Sequence, residues 1–288
     1  MNLMTKTLGK AIKPLSDIGL GKMPGVSPLY KFIWKHFGPK GIRLTKVNGF
    51  KMYVVCRDWA VAPTMLFNHV WEPVETKICK QHIKEGMTVV DAGAYIGYYS
   101  ILASKLVGSR GKVYAFEPSP ECLELLYKNI EINNCKNIQV FTKAVTDKVG
   151  YTMFYVNPQN LSGSSTARSF QGPQIEVPTT TLDEAIGNQR VDFIKMDIEG
   201  TEPKAIRGMN KVIRNNSQLK MIIEASTLGL ADTSSSFEGY IKFLQSHFKL
   251  YIIGNSKLKG EVNLQDIKNA ARKTGVINLF CQRRSSCV

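Results

Sequence analysis

Two acids, Asp91 and Glu117, stand at positions that suit a nucleoside cofactor. Asp91 ends an apolar run and is followed by Gly93 and Gly97, and Glu117 closes the next apolar run, residues 113–116. Glycines let the backbone turn sharply and approach a ligand closely. A carboxylate at the end of the following strand can accept hydrogen bonds from two ribose hydroxyls. The spacing therefore predicts a site for a nucleoside-containing cofactor.

The glycine loop lacks the features that bind a phosphate chain. It contains neither the three glycines of a dinucleotide fingerprint nor a Gly-Lys-Ser/Thr phosphate loop. S-adenosylmethionine suits both halves of the pattern, because it offers adenosine to the acid and a small methionine tail to the glycine turn. The residues predicted to hold S-adenosylmethionine here are Asp91, Gly93, Ala94, Tyr95, Gly97, Glu117 and Pro118.

A second group of charged residues surrounds the end of a later strand. Residues 194–202 contain Lys195, Asp197, Glu199 and Glu202, and Glu224 ends the strand after that. Ligands bind at the carboxyl ends of strands in open α/β sheets, so the reacting group is expected here. Asp197 and Glu199 are the candidate catalytic bases, with Glu224 behind them.

Other interpretations of these acids stay open. Glu199 and Glu202 also suit the N-terminus of the helix that follows, where acids are favourable. Glu72 could bind the ammonium of the methionine tail or lie in a solvated turn. A divalent metal shared by the acids is a minor alternative, so no metal ligand is assigned. None of the four histidines is assigned as a base.

From residue 75 onward, strands and helices alternate as in a parallel sheet with helices on both faces. Predicted strands cover residues 88–91, 112–116, 138–141, 191–197, 219–225, 249–253 and 276–281. Predicted helices cover residues 98–107, 120–132 and 236–248, with another beginning at residues 201–203. The fold class is therefore α/β, Rossmann-like, with about seven mostly parallel strands and a final antiparallel strand. Residues 150–182 interrupt the alternation as an insertion without a helix, and the polar segment 254–275 is predicted to be a surface loop.

The positive charge is concentrated at the N-terminus. The net charge is +15, and residues 1–46 hold nine basic residues and one acid. A helix is predicted from the Ser27 cap to Gly38, with an aromatic stripe that could dock on the main domain or on a membrane; docking is favoured. Residues 1–60 are interpreted as a basic extension with an amphipathic helix, and residues 61–288 as the cofactor-binding domain. An anionic membrane or nucleic acid could contact residues 1–46.

The rest of the composition favours a cytoplasmic protein. No apolar run is long enough to span a membrane, and the first residues lack a signal peptide's apolar stretch. The six cysteines are scattered without a pattern typical of zinc or disulfides, and they are expected to be reduced.

Taken together, these segments resemble the FkbM family of S-adenosylmethionine-dependent O-methyltransferases. The resemblance runs from about Trp71 to Cys281 and is carried by segments 71–73, 91–100, 116–118, 144–147, 162–165, 181–183 and 195–202. It implies a Rossmann-like fold with S-adenosylmethionine as donor, and it adds Ala144 to the cofactor residues. Tyr95 stands where the family usually has Asn, and Ala225-Ser226 follows Glu224 where a His is common.

The predicted reaction is methyl transfer to a hydroxyl, by in-line displacement at the sulfonium methyl. The resemblance implies a sugar, lipid-linked glycan or natural-product acceptor. An RNA 2′-O-methyltransferase is the main rival, although that class tends to have a lysine where Glu224 stands. A non-catalytic module that binds nucleic acid or membrane through the basic segment is a third interpretation.

Overall fold

The computed structural model describes residues 26–158, 160–167, 172–226 and 237–284. Residues 1–25 of the predicted basic extension lie outside the described residues. The strands are β1 Ile42–Val47, β2 Phe50–Val55, β3 Thr88–Ala92, β4 Lys112–Phe116, β5 Ile138–Phe141, β6 Ala144–Val145, β7 Gly150–Tyr155, β8 Gln174–Thr180, β9 Phe193–Met196, β10 Lys220–Ser226, β11 Phe248–Ile253, β12 Leu258–Glu261 and β13 Val276–Arg283. The α-helices are α1 Val26–Phe37, α2 Pro73–His82, α3 Tyr98–Val107, α4 Pro120–Ile132, α5 Leu182–Ile186, α6 Glu202–Arg207, α7 Asn210–Asn215, α8 Phe237–His247 and α9 Leu264–Thr274.

Eight strands form the main sheet, in the order β12-β11-β13-β10-β9-β3-β4-β5. The neighbours from β10 to β5 pair in parallel, and β13 runs antiparallel to both β10 and β11. The predicted α/β fold, with a mostly parallel sheet and an antiparallel strand near the C-terminus, is confirmed. The sheet has one strand more than predicted, because β12 forms within the segment interpreted as a loop.

The central strands are apolar on both faces. Val89 and Phe193 pack into one hydrophobic cluster, while their neighbours Val90 and Ile194 pack into the other. Side chains alternate between faces along a strand, so each cluster lies between the sheet and its own layer of helices. Buried parallel sheets need this continuous apolar sequence.

The register of the central strands determines where ligands can bind. Ala92 of β3 lies opposite Phe116 of β4 on one side and Met196 of β9 on the other. The three strands therefore end at the same level, and the residues that follow them meet at one edge of the sheet.

The N-terminal segment packs against the sheet domain. Tyr30 and Trp34 of α1 are buried in the same cluster as Val89, and the Trp34 indole donates a hydrogen bond to the Cys56 carbonyl oxygen at 2.7 Å. Strands β1 and β2 form an antiparallel hairpin that was not predicted. The Asn129 side chain of α4 accepts from the backbone N–H of Tyr53 at 2.6 Å, which fixes the hairpin beside that helix.

The described part of residues 150–182 forms β7, β8 and a short 3₁₀ helix, Leu161–Gly163, and α5 begins only at its last residue, Leu182. The Thr181 hydroxyl caps α5 by accepting from the N–H of Glu184. The prediction for the other connecting segment is wrong. Residues 254–275 were expected to be a loop, but they form β12 and α9. The sequence carries a capping box for α9, since Asn263 and Asp266 each accept from the other's backbone N–H. The polar composition of this segment concealed that signal.

The short helix α7 was also not predicted. Among the described residues, no helix has the length and apolar character needed to cross a membrane.

Candidate active site

The loop after β3 crosses the sheet edge in close contact with the loop after β9. Gly93 has a φ of +85°, and a Cβ placed on it would lie 1.9 Å from the Asp197 carbonyl oxygen. Its N–H donates to the carbonyl oxygen of Phe116 at 3.0 Å. Only glycine fits both this conformation and this approach. Gly93 thus joins the ends of β3, β4 and β9 into one site.

Glu117 is buried at the end of β4. One carboxylate oxygen accepts from the N–H of Tyr95 and the other from the N–H of Ser119, both at 2.8 Å. Burial raises the pKa of Glu117 to about 7, and the two backbone N–H groups oppose that rise. Each carboxylate oxygen has a further lone pair, so Glu117 can still accept two hydroxyl hydrogen bonds.

A cleft opens between Glu117 and the loop after β9. It has about 530 Å³ of empty space, the part open to solvent included. The predicted site residues on its wall are Gly93, Tyr95, Glu117, Pro118, Ala144, Asp197 and Glu199. The sequence segments interpreted as a cofactor loop, a ribose acid and a catalytic group therefore share one cavity.

Three predicted cofactor residues lie beside this cleft and shape the loop. The Asp91 carboxylate is buried and accepts from the Ser100 hydroxyl at 2.5 Å, and burial raises its pKa to about 6. The N–H of Ala94 donates to the Phe116 carbonyl oxygen at 2.9 Å. Gly97 faces α4, where a Cβ would meet the Leu126 side chain at 2.6 Å.

A lysine is buried behind Asp197. The Lys195 side chain is 3% exposed, and its Nζ lies 2.9 Å from Asp197 Oδ2 and 3.8 Å from Glu72 Oε2. The Tyr99 hydroxyl donates to the same Glu72 oxygen at 2.7 Å. Burial disfavours the lysine charge, but Asp197 and Glu72 outweigh it and the pKa of Lys195 is raised. Burial also raises the pKa of Glu72 to about 7, against the lowering effect of Lys195.

The structure separates the remaining acids by role. Glu199 lines the cleft in a left-handed conformation, with φ of +57°. Glu202 is buried away from the cleft wall, and its carboxylate accepts from the N–H groups of Ile198 and Gly200 at 2.9 and 3.0 Å. Burial raises the pKa of Glu202 to about 7. Its hydrogen bonds support the interpretation of Glu202 as a residue that shapes the turn before α6.

Glu224 lies on β10, next to β9, without lining the cleft. In the register of the two strands, Ile223 pairs with Met196, so Glu224 is level with Asp197. Its Oε1 is buried and has no hydrogen-bond partner. Burial, followed by the negative charges of Asp197 and Glu202, raises the pKa of Glu224 well above its usual value.

Asp58, which was not predicted as a site residue, is fully buried beside the cleft. Its Oδ2 accepts from the Tyr95 hydroxyl at 2.8 Å and from the N–H of Ser162 at 2.9 Å. Its Oδ1 accepts from the N–H groups of Ala60 and Val61, both at 3.1 Å. Asp58 is an isolated acid in an otherwise undistinguished segment, so no spacing pattern pointed to it.

The described residues contain no group of three or more His, Cys, Asp or Glu side chains arranged to hold a metal ion. The cleft does suit S-adenosylmethionine. Glu117 presents a buried acceptor for a diol, and Gly93 leaves backbone open to a ligand in the same cleft.

Comparison with known proteins identifies the family. The model of the methyltransferase FkbM domain matches residues 91–251, which is more than half of the chain. Methyltransferase sdnD of Sordaria araneosa is 26% identical over 157 residues, covering 43% of this chain and 60% of that protein. A protein-L-isoaspartate O-methyltransferase of Methanococcoides burtonii is 38% identical over 58 residues, covering 20% of this chain and 29% of that protein. The chain thus spans less than two thirds of these curated relatives.

Solved structures of methyltransferases also match parts of the chain, at low sequence identity. The methyltransferase FkbM of Methylobacillus flagellatus KT is 16% identical, with a TM-score of 0.43, covering 72% of this chain and 50% of that one. A Streptococcus mutans protein solved in complex with SAH is 12% identical, with a TM-score of 0.44, covering 73% of this chain and 96% of that one. The sheet topology and the family match confirm the predicted Rossmann-like methyltransferase fold, and the family match confirms the predicted cofactor, S-adenosylmethionine. The chain belongs to the FkbM methyltransferase family.

Proposed function

We propose that this protein transfers a methyl group from S-adenosylmethionine to a hydroxyl of a sugar, a lipid-linked glycan or a natural product. One observation carries the proposal. The buried acid Glu117 and the acids Asp197 and Glu199 line one cleft. An adenosine-binding group and a proton acceptor are thus within the reach of a single bound cofactor and its acceptor.

The cofactor would be held by the residues around the glycine loop. Glu117 would accept the two ribose hydroxyls, and Gly93 would let the backbone approach the methionine tail. Tyr95, Pro118 and Ala144 would line the nucleoside part of the cleft. Asp91, Ala94 and Gly97 would maintain the loop from behind. Glu72 would act at the methionine end of the cofactor through its charge. Its Oε2 lies 3.8 Å from Lys195 Nζ.

When bound, S-adenosylmethionine supplies an activated methyl group on a sulfonium centre, so the protein mainly has to align donor and acceptor. Asp197 is proposed to take the acceptor's hydroxyl proton, with Glu199 as the alternative base and Glu224 behind both. Lys195 donates a hydrogen bond to Asp197 Oδ2 at 2.9 Å, which fixes the position of this carboxylate. Positioning and proton removal are therefore the two tasks of these side chains.

The acceptor pocket is proposed to include the insertion between β7 and β8. Leu161, Ser162, Ser164 and Thr166 line the cleft opposite the sheet edge. These side chains offer hydroxyl groups and one apolar surface, a combination that suits a polyhydroxylated acceptor. We also propose the cytoplasm as the location, since the described cysteines Cys56, Cys79, Cys122, Cys135 and Cys281 are free thiols.

The test combines cofactor binding with turnover. Purified protein is titrated with S-adenosylmethionine by calorimetry, and release of S-adenosylhomocysteine is followed with a panel of hydroxylated acceptors. Asp197→Asn is expected to keep cofactor affinity and to abolish turnover. Asp147→Asn is the matched control, because Asp147 pairs with Arg207 outside the cleft wall and should leave both quantities unchanged. Wild-type turnover in Asp197→Asn would refute the base assignment, and absence of cofactor binding would refute the whole proposal.

A further inference from the structure

The N-terminal helix and the first strand expose large apolar side chains to solvent. Phe32, Phe37, Ile42 and Leu44 are 55%, 56%, 49% and 51% exposed. They are half of the eight large apolar side chains that are exposed in the described part of the chain. The same helix is anchored on its other side by Trp34, which is 2% exposed. The exposed residues are therefore presented by a docked element.

The exposed apolar residues fall within a short stretch of the chain, residues 32–44. Phe37 and Ile42 flank a four-residue connection, so their Cα atoms are at most about 18 Å apart. Ile42 and Leu44 share one face of β1, because side chains on a strand alternate. We call the surface formed by residues 32–46 the basic apolar surface.

The segment that includes this surface contains basic residues and no acid. Residues 26–57 contain seven basic residues and no acid: Lys31, Lys35, Lys40, Arg43, Lys46, Lys51 and Arg57. The first six are exposed, and Arg57 pairs with Glu121. The region thus has a net charge of +7, nearly half of the +15 of the chain.

We propose that the basic apolar surface docks on an anionic lipid membrane. Apolar side chains beside lysine and arginine are the pattern of peripheral membrane binding, in which the apolar groups enter the acyl boundary and the cations contact headgroups. A nucleic acid would satisfy the cations, but it would leave Ile42 and Leu44 without an apolar partner. Charge and apolar exposure together therefore favour lipid.

Vesicle co-sedimentation of the full chain tests this proposal. The protein should bind phosphatidylcholine vesicles that contain phosphatidylserine and should not bind pure phosphatidylcholine vesicles. The double variant Phe32→Ser/Phe37→Ser should bind at least tenfold more weakly. Tyr151→Ser is the matched control, because Tyr151 is 70% exposed on β7, a strand that contains no charged residue. It should bind like the wild type.

Three results would overturn the membrane proposal. They are absence of binding to the phosphatidylserine vesicles, equal losses in the double variant and in Tyr151→Ser, and binding of a single-stranded RNA oligomer that displaces the protein from vesicles. The first result would leave the surface to residues 1–25, and the last would assign it to nucleic acid.

A second inference concerns Asp58 and rests on the proposed cofactor site. Through its side chain, Asp58 connects the N-terminal segment, the cofactor loop and the insertion, by its hydrogen bonds to Val61, Tyr95 and Ser162. Tyr95 has a φ of +50°, a conformation that Asn tolerates and that is strained for Tyr. The bond from its hydroxyl to Asp58 offsets this strain.

We infer that Asp58 positions the cofactor-binding acid through Tyr95. The Tyr95 hydroxyl donates to Asp58, and the Tyr95 N–H donates to Glu117 Oε2 at 2.8 Å. Fixing the tyrosine ring therefore fixes one hydrogen-bond donor of Glu117. The same Asp58 oxygen also accepts from the N–H of Ser162, another residue that lines the cleft. Asp58 thus links the cofactor loop to the insertion.

Two tyrosine variants test this positioning role. Tyr95→Phe removes the hydroxyl that donates a hydrogen bond to Asp58. Tyr98→Phe removes another buried hydroxyl, which forms a hydrogen bond with the Thr76 hydroxyl at 2.9 Å and does not line the cleft. Each loses one buried hydrogen bond, so similar losses of thermal stability are expected. Tyr95→Phe should raise the Kd for S-adenosylmethionine five- to tenfold with kcat nearly unchanged at saturating cofactor, and Tyr98→Phe should leave the Kd unchanged.

Equal Kd values for the two variants would overturn the positioning role. Failure of the wild type to bind S-adenosylmethionine would instead refute the proposed function, so the two failures are distinguishable.

Discussion

Glu117 and Glu202 are two buried glutamates with the same local chemistry in different loops. Each accepts hydrogen bonds from two backbone N–H groups, and burial raises the pKa of each to about 7. Glu117 lines the cleft after β4, whereas Glu202 lies beneath the loop after β9 and does not line it. The first is therefore available to a ligand, and the second holds Ile198 and Gly200 in place.

The difference shows that a perturbed pKa does not by itself identify a ligand-binding acid. Buried acids in structural networks have perturbed pKa values too. What distinguishes Glu117 is that lone pairs of its carboxylate remain accessible from a cavity. The two loops meet at Gly93, so variants at these three positions can separate binding from folding.

The largest effect is expected at Gly93, where the two loops touch. Gly93→Ala would place a Cβ 1.9 Å from the Asp197 carbonyl oxygen, a backbone atom that cannot move without displacing the loop. Binding of S-adenosylmethionine should fall below detection in calorimetry. Gly86→Ala is the control, because Gly86 has a similar φ of +78°, does not line the cleft, and would place its Cβ more than 4 Å from any atom beyond its neighbours in the chain. Both variants should lose stability, and only Gly93→Ala should lose binding; equal affinities would contradict the contact's role.

The second-largest effect is expected at Glu117 and should be absent at Glu202. Glu117→Gln removes an ionised acceptor for the ribose, and hydrogen bonds to charged groups contribute about 1.5–3 kcal/mol each. The Kd for S-adenosylmethionine should rise about 30- to 150-fold in calorimetry. Glu202→Gln should change the Kd by less than about threefold while lowering Tm, because it loses only an internal acceptor. Similar Kd values for the two variants would remove the distinction between them.

Binding should also depend on pH through Glu117. Its pKa is raised to about 7, so the carboxylate becomes protonated as pH falls through 7. The ionised form accepts both ribose hydroxyls, so affinity should fall by up to about tenfold between pH 8 and pH 6. The measurement is the Kd of wild type and Glu117→Gln at both pH values. A pH dependence that persists unchanged in the variant would assign it to another group.

The smallest effect is on the pH dependence of stability. The pKa of Glu202 is raised from 4.5 to about 7 on folding, so the folded state binds the proton more tightly. This contribution to stability is present at low pH and is lost as pH rises through 7, by about 1 kcal/mol between pH 6 and pH 8. Chemical denaturation at both pH values should show that loss in the wild type and a smaller one in Glu202→Gln. Equal losses would place the titration elsewhere.

Much of the fold follows from local sequence signals. Helix α3 and strands β4 and β5 have the bounds that apolar periodicity, Gly108 and turn residues predict. Helix α9 was missed because composition outweighed its capping residues. The β1–β2 hairpin was missed although Ile42 and Leu44 alternate with Arg43 and Thr45, as in a half-buried strand; in the structure these apolar residues are exposed.

The sequence also carries most of the candidate site, as far as type and order are concerned. Gly93, Glu117 and Asp197 follow apolar strands, and the carboxyl ends of parallel strands meet at one edge. The roles of Glu199 and Glu202 could not be separated, because both suit a helix N-terminus. Only the fold shows that the Glu202 carboxylate turns back to two backbone N–H groups.

The sequence by itself determined the architecture, the cofactor class and the positions of the acids, because these depend on period, spacing and residue type along the chain. The tertiary structure decided which acids share a cavity and which side chains connect distant segments. Asp58 and Ser162 are 104 residues apart in the sequence, and the hydrogen bond between them joins the N-terminal segment to the insertion. Local patterns cannot predict such a contact, since it forms only when separately folded elements pack together.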